Sequence, residues 1–527
     1  MSVNLAAAIN AFRELLGDDY VQTQSAELGE IRATFKTTQS VQGIIQPANR
    51  DEVAACVRIA NQYAVPLYPI SRGRNWGFGS RVPVKSGSVI IDLARMNRIL
   101  ETSEELAYTV IEPGVTFQQL HQHLLDAGSR LVVSATGAPP DSSVIGNALE
   151  RGVGRGPYGD RLDAMCNLEV VLPDGRILQT GYGRFPGSTT ANLARAASGP
   201  HVDGIFTQSN LGIVTRMTIW LAPRPSNLQT FFYKLRTDEH LEEVVDVLTE
   251  LRLNGFTRTP MLLGNEYRFL SFGTGYPWIA SGGKTPLPAG LLNDMKNRAN
   301  LGAWMGEGAL HSLSPAHAEA DRDYLLNRLD KLVDGIEFWD EARIAGGDKS
   351  QLLPDTKMAW ESNPHRGHSI PSSAAVAYWR KKTSRPPDSD LNPDRDNCGV
   401  IWFAPALPAR GSDARTVTQL YENITARYGY EPNMGLLFAT ARCIYMTGAL
   451  VYDRDQPGED DMAMECYKEL FSKLVEAGYP PYRLGIQSMS ALENGSVYDD
   501  FIHQLKSVLD PNHVIAPGRY TGAEKFH

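Results

Sequence analysis

Cysteine is scarce and unpatterned in this chain of 527 residues: Cys56, Cys166, Cys398, Cys443 and Cys466 are odd in number, scattered, and free of any C-x-x-C spacing. That excludes a disulfide framework and a zinc site, and suits buried thiols in a reducing compartment. Long apolar runs are missing too. With no 18-residue apolar span and no basic patch leading a short apolar segment at the N-terminus, neither a membrane helix nor a signal peptide is read, and the expected location is cytoplasmic. Basic charge forms no stripe: the signs are interspersed, the net charge is -9 and the pI about 5.7, which argues against nucleic acid or anionic membrane as a main partner. The length exceeds what one core supports, so two or more domains are expected.

What the chain does have is glycine placed between strands. The stretch from Pro69 to Ser80 contains Ser71, Arg72, Gly73, Arg74, Asn75, Trp76, Gly77, Phe78 and Gly79, entered by an apolar strand (Ala64 to Ile70) and left by another (Ser88 to Leu93). A Rossmann fingerprint needs G-x-G-x-x-G opening a helix, and these glycines give neither. What remains is a nest of backbone N–H groups turned toward an anion, with Arg72 and Arg74 adding positive charge, or else an ordinary surface loop. A helix from Asn49 to Tyr63 precedes the first strand, so the opening is a βαβ unit and an α+β or α/β sheet follows. Thr116, after Pro113 and Gly114, is placed to cap a helix through about Ala127. Small residues crowd Ser134 to Asn147 and Glu150 to Asp160, a backbone suited to lie flat against something planar or charged. Leu168 to Leu172 and Arg176 to Thr180 make a hairpin. Beyond Pro223-Arg-Pro-Ser226 a fresh alternation of strands and helices begins.

Taken in order, the GRNWGFG loop, EPGVT, SSVIGN, RGVG, PYGD, FTQSNLGIVT and the terminal DPNHVIAPGR resemble the vanillyl-alcohol oxidase and 4-cresol dehydrogenase family, over nearly the whole chain and most weakly from about Met261 to Asn397. The resemblance implies an α+β fold with a PCMH-type FAD-binding domain of two α+β subdomains at 1–224 (core from about 40), a cap domain at 225–478 over the isoalloxazine ring, and a return to the FAD domain at 479–527. It implies FAD as cofactor, held by the 71–79 loop with Pro113, Gly114, Ser143, Gly146, Asn147, Gly152, Gly212, Ile213, Val214 and Arg519. No metal is implied.

The family's site residues carry over one at a time. Tyr482 and Arg483 match a Tyr-Arg pair that binds a substrate phenolate, which makes chemical sense because a guanidinium and a phenol donor together stabilise that oxygen. Tyr158 matches a second active-site tyrosine. Asp141 fills the place of a catalytic aspartate only if its loop shifts by about three residues; otherwise it makes an Asx turn. Where relatives complete the clamp with a tyrosine, this chain has Phe78. The histidine that carries flavin in oxidase-type relatives is replaced by Val400, Tyr378 is the candidate for an 8α-tyrosyl link, and His365 and His368 are expected to face solvent. Arg442-Cys-Ile-Tyr-Met446 lacks a His-His pair found in relatives.

The reaction so implied is hydride loss from the benzylic carbon of a para-substituted phenol to flavin N5 through a p-quinone methide. The product is an alcohol, carbonyl or alkene, O2 or a cytochrome c reoxidises the flavin, and a homodimer is usual. A flavin dehydrogenase of a hydroxy acid or sugar would need carboxylate-binding arginines in the cap, which the sequence does not place. A catalytically inactive flavin-binding protein is the other alternative.

Overall fold

The computed structural model describes residues 5–353, 356–361, 363–367, 369 and 371–521, without the side chains of 356–358 and 371–372. Three sheets organise it. In the first, Val41–Ile45, Ser88–Asp92 and Leu67–Ile70 run parallel in that spatial order, with Val21–Gln22 antiparallel along Val41–Ile45. The helix Arg50–Tyr63 connects Val41–Ile45 to Leu67–Ile70. The Asn49 side chain accepts from the Asp51 and Glu52 N–H groups to start it, and Ala64, at φ 53°, ends it. Such an N-cap is worth about 1 kcal/mol. Val53, Cys56, Val57 and Ala60 turn its buried face onto the sheet. Because Ser88–Asp92 inserts between the two earlier strands, residues 71–87 leave the carboxyl end of an edge strand and return to the sheet centre. Carboxyl ends of parallel strands are where such sheets dock ligands.

The second sheet is antiparallel, in the order Ile99–Ser103, Tyr108–Ile111, Ile213–Trp220, Met165–Val171, Ile177–Gln179. Every residue of Met165–Val171 is buried. One face packs the helices Phe117–Asp126 and Val144–Leu149 through Phe117, Leu120, Leu124, Val144 and Ile145. Thr116 caps the first of these, its Oγ1 accepting from Gln119 N–H at 3.1 Å. The hairpin turns at Gly175, whose φ of 82° suits glycine.

The third sheet starts just beyond Pro223-Arg-Pro-Ser226. Its antiparallel order is Ile336–Trp339, Asn227–Leu235, Trp304–Ser312, Leu262–Asn265, Asn433–Leu437, Cys443–Asp453, Cys398–Phe403, and Ala406–Pro408 also pairs with Cys443–Asp453. Helices Leu241–Leu253, Pro315–Leu329, Gly411–Arg427 and Glu459–Glu476 share its core through Val244, Leu248, Leu325, Val417, Tyr421 and Leu470. Ala33, Phe35, Val82 and Ile486 bury into the same core, so the glycine loop is flanked by residues locked to this sheet. The chain's last stretch returns to the first sheet: Leu67 N–H donates to Val514 at 2.7 Å and Ala516 N–H to Leu67 at 2.7 Å.

Among the described residues, no helix is long and apolar enough to cross a membrane and no cluster of His, Cys, Asp or Glu could hold a metal. The five cysteines are free thiols, Cys443 half-buried and the others buried.

Candidate cofactor and substrate site

A cavity of about 390 Å³ lies where the three sheets meet. Its floor is the glycine-rich loop. Ser71 to Trp76 line it with Pro113, Ser142, Ser143, Gly146, Asn147, Gly152, Gly212, the strand start Ile213 and Val214, and Arg519. The backbone N–H groups of Arg72 to Trp76 are taken up by no acceptor among the described residues, and the buried Ser142 Oγ has no partner. Unspent donors beside two arginines are what a pyrophosphate needs. The lining therefore fits FAD, with the loop and the Ser142–Gly146 turn as its anion cradle.

Protein packing explains the glycines that do not line the cavity. A Cβ on Gly77 would sit 2.1 Å from Trp402 Cδ1, and φ there is 76°. Gly79, at φ 121°, is pressed against Ile486 in the same way. A Cβ on Gly114 would lie within 2.6–2.9 Å of the Ala94, Met96 and Leu93 carbonyls. These three hold the cradle's shape. Asp394 ties the loop down from the polar stretch 381–397: it accepts from Trp76 Nε1 at 2.9 Å and Ser80 Oγ at 2.7 Å. Burial pushes its carboxyl up to about 6, against the pull of those two bonds.

Tyr482 and Arg483 line the same cavity. Arg483 Nη2 donates to Asn75 Oδ1 at 2.5 Å, its guanidinium lies 4.4 Å over the Phe78 ring, and its Nε pairs with Glu150 at 3.3 Å. Glu150 also binds Arg519, which donates to Tyr68 at 2.7 Å, and it accepts from Tyr520 at 3.0 Å. Burial opposes ionisation of Glu150, but Arg519 and Arg483 outweigh it and hold the carboxyl below its ordinary range. Tyr482 stacks on Tyr445 at 4.0 Å and 7°. Burial raises the Tyr482 phenol despite Arg483, so it stays a neutral donor.

Three candidates sit elsewhere. Asp141 is ion-paired with Arg74 at 2.5 Å and does not line the cavity, nor does half-buried Tyr158. Tyr378 is buried outside the lining, where its hydroxyl donates to Asp396 at 2.5 Å and accepts from Asn392 N–H at 2.8 Å; its neighbours Ala374, Val376 and Ala377 line the cavity instead. His365 does not face solvent: it is 4% exposed, because the 363–367 segment packs inward, and burial with nearby Arg155 keeps it neutral. His368 lies outside the described residues. Sequence reasoning missed Glu150, Tyr445, Asp394, Arg155 and Arg268, of which Glu150, Arg155 and Arg268 also line the cavity. A lone carboxylate at the head of the glycine-rich stretch 150–160 was the available signal for Glu150.

A model of an FAD binding domain matches residues 41–181. The chain is 46% identical to a 1'-carboxy-chondrochloren decarboxylase of Chondromyces crocatus, over 98% of this chain and 97% of that protein. It is 28% identical to the 4-cresol dehydrogenase [hydroxylating] flavoprotein subunit of Pseudomonas putida, over 97% and 94%. Its structure superposes on substrate-bound p-cresol methylhydroxylase with a TM-score of 0.90 at 26% identity (99% and 98% covered). It matches the isoeugenol complex of a 4-ethylphenol oxidase from Gulosibacter chungangensis equally well, at 0.90 and 26% (100% and 99% covered). The chain therefore belongs to the FAD-dependent, PCMH-type flavoprotein oxidoreductases typified by 4-cresol dehydrogenase.

Proposed function

We propose that this enzyme oxidises the benzylic carbon of a para-substituted phenol. The observation that carries the reading is the juxtaposition of Tyr482 and Arg483 with Asn75 and Phe78 of the anion cradle, all lining one cavity. Bound FAD supplies a two-electron acceptor for hydride. Arg483, oriented by Asn75 and Glu150, offers a fixed positive charge to the substrate oxygen and favours the phenolate. Tyr482, neutral and stacked on Tyr445, donates a hydrogen bond to it. Phe78 contributes a ring face and no donor, so the oxygen is held by two side chains. The phenolate lends electrons to the departing hydride, the substrate becomes a p-quinone methide, and water addition or proton loss completes an alcohol or an alkene. O2 or a cytochrome c would take the electrons onward, and a dimer is the expected assembly.

A second reading is favoured by the 46% identical decarboxylase. If the carbon next to the benzylic one bears a carboxylate, its C–COO⁻ electron pair can enter the quinone methide. An alkene forms, CO2 leaves and the phenolate is restored. Anaerobic mixing with a panel of 4-alkylphenols tests the first reading: flavin absorbance should bleach and one oxidised product should appear per flavin. A yellow, folded protein inert to the whole panel would refute it.

A further inference from the structure

At the third-sheet end of the cavity a buried cation, Arg155, and a half-buried one, Arg268, lie near one carboxylate. Arg155, 9% exposed, pairs through Nη2 with Glu307 at 3.0 Å, and its Nη1 has no hydrogen-bond partner. Arg268, on the helix Glu266–Gly273, is likewise left with an unpartnered Nη1. Both line the cavity. Among the described residues their surroundings add no second anion: His365 and His311 lie nearby, and burial keeps both neutral, the latter pushed down to about 4. Burial, with the charge of Arg155, drives Arg268 down to about 10 against the pull of Glu307. The cluster therefore carries an uncompensated positive charge in a water-poor place. A merely structural pair would spend its donors on the protein. Leaving guanidinium N–H groups buried and unbonded is costly, and a carboxylate with two acceptor oxygens removes that cost at both residues.

We infer that Arg155 and Arg268 form a carboxylate-binding subsite, so that the substrate is a para-substituted phenol whose side chain carries a carboxylate. The inference rests on the phenol reading of Tyr482 and Arg483. Arg155 comes from the glycine-rich stretch after Glu150 and Arg268 from the cap sheet's side, so the subsite spans the seam between the two. The carboxylate selects the substrate, while the phenolate end orients it.

The test is calorimetric titration of the oxidised holoenzyme with two probes that lack a benzylic C–H and cannot turn over: 2-(4-hydroxyphenoxy)acetate and neutral 4-propoxyphenol. The acetate should bind about tenfold or more tightly than the neutral probe. Arg155→Gln and Arg268→Gln should each erase that advantage while leaving the neutral affinity within about twofold. Flavin content and melting temperature verify folding. If a variant does not fold, the comparison of the acetate with its methyl ester on the native enzyme still decides. An acetate that binds no better than the neutral probe, or an advantage that survives both substitutions, overturns the subsite. An arginine-dependent acetate with no binding of 4-propoxyphenol supports the subsite and refutes the phenol reading beneath it.

Discussion

The two ends of the cavity follow opposite electrostatic plans. At one, Arg483 and Arg519 share Glu150, and Asn75, Tyr68 and Tyr520 take up further bonds, so a network stands before any ligand arrives. At the other, Arg155 pairs with Glu307, Arg268 feels only the charge of that carboxylate, and one guanidinium nitrogen on each has no acceptor. A network closed except at Arg483 Nε, which meets Glu150 as an ion pair without a hydrogen bond, fixes a geometry, which is what stabilising a developing charge requires. An unsatisfied one lacks an anion, which is what selection requires. The proposed roles thus give orientation and recognition to different arginines.

The largest effect should come from breaking the satisfied end. Arg483→Gln is expected to slow anaerobic flavin reduction by a 4-alkylphenol by about two to three orders of magnitude, read by stopped flow, with flavin still bound. Next comes the cradle between the ends. Gly77→Ala should cost on the order of 3 kcal/mol and lower flavin content, because the methyl meets Trp402 at a positive φ. Gly128→Ala, at φ 61° with nothing nearby, should cost only about 1 kcal/mol by the same melts. The tenfold probe discrimination at Arg155 and Arg268, about 1.4 kcal/mol, falls between the two glycine effects.

An effect of intermediate size is expected at Asp394. Its folded-state carboxyl titrates at about 6 against an ordinary 3.8. The protonated form is favoured by folding, so this contribution is complete below the unfolded value and lost as pH rises through about 6. Between about pH 4 and 7 the native enzyme should lose on the order of 2 kcal/mol relative to Asp394→Asn, measured by urea unfolding. The smallest change should come from Tyr378→Phe. Since the Tyr378 oxygen is occupied by Asp396 and Asn392, acid precipitation should release flavin from native and variant protein alike. Flavin retained in the native pellet and freed by the variant would restore Tyr378 as the link.

Much of the cradle was legible because it is written in local chemistry. Gly73, Ser143 and Gly212 line the cavity, and motifs rich in small residues announce a backbone that approaches something closely. Thr116 and the turn at Gly175 were readable for the same reason: capping and positive φ are decided by a few neighbouring residues. Three glycines were legible as glycines but not in their task. Gly77, Gly79 and Gly114 yield to Trp402, Ile486 and the carbonyls near residue 94, contacts made by distant chain or by neighbouring turns. Asp141 and Tyr378 show the opposite failure. Their residue types suited the chemistry, yet Arg74 and Asp396 claim their polar atoms. Arg155 and Arg268, more than a hundred positions apart, converge only through the packing of the third sheet, which no local pattern encodes.

The central claim is that a phenolate oxygen at Tyr482 and Arg483 drives oxidation at the benzylic carbon. It is tested most directly by mixing the holoenzyme without oxygen with 4-ethylphenol and, separately, with 4-ethylanisole, whose oxygen is methylated. The account predicts that the phenol bleaches the flavin and the anisole does not, and that Arg483→Gln removes most of the difference. Equal bleaching by both compounds, or bleaching by neither in a fully loaded enzyme, would contradict it.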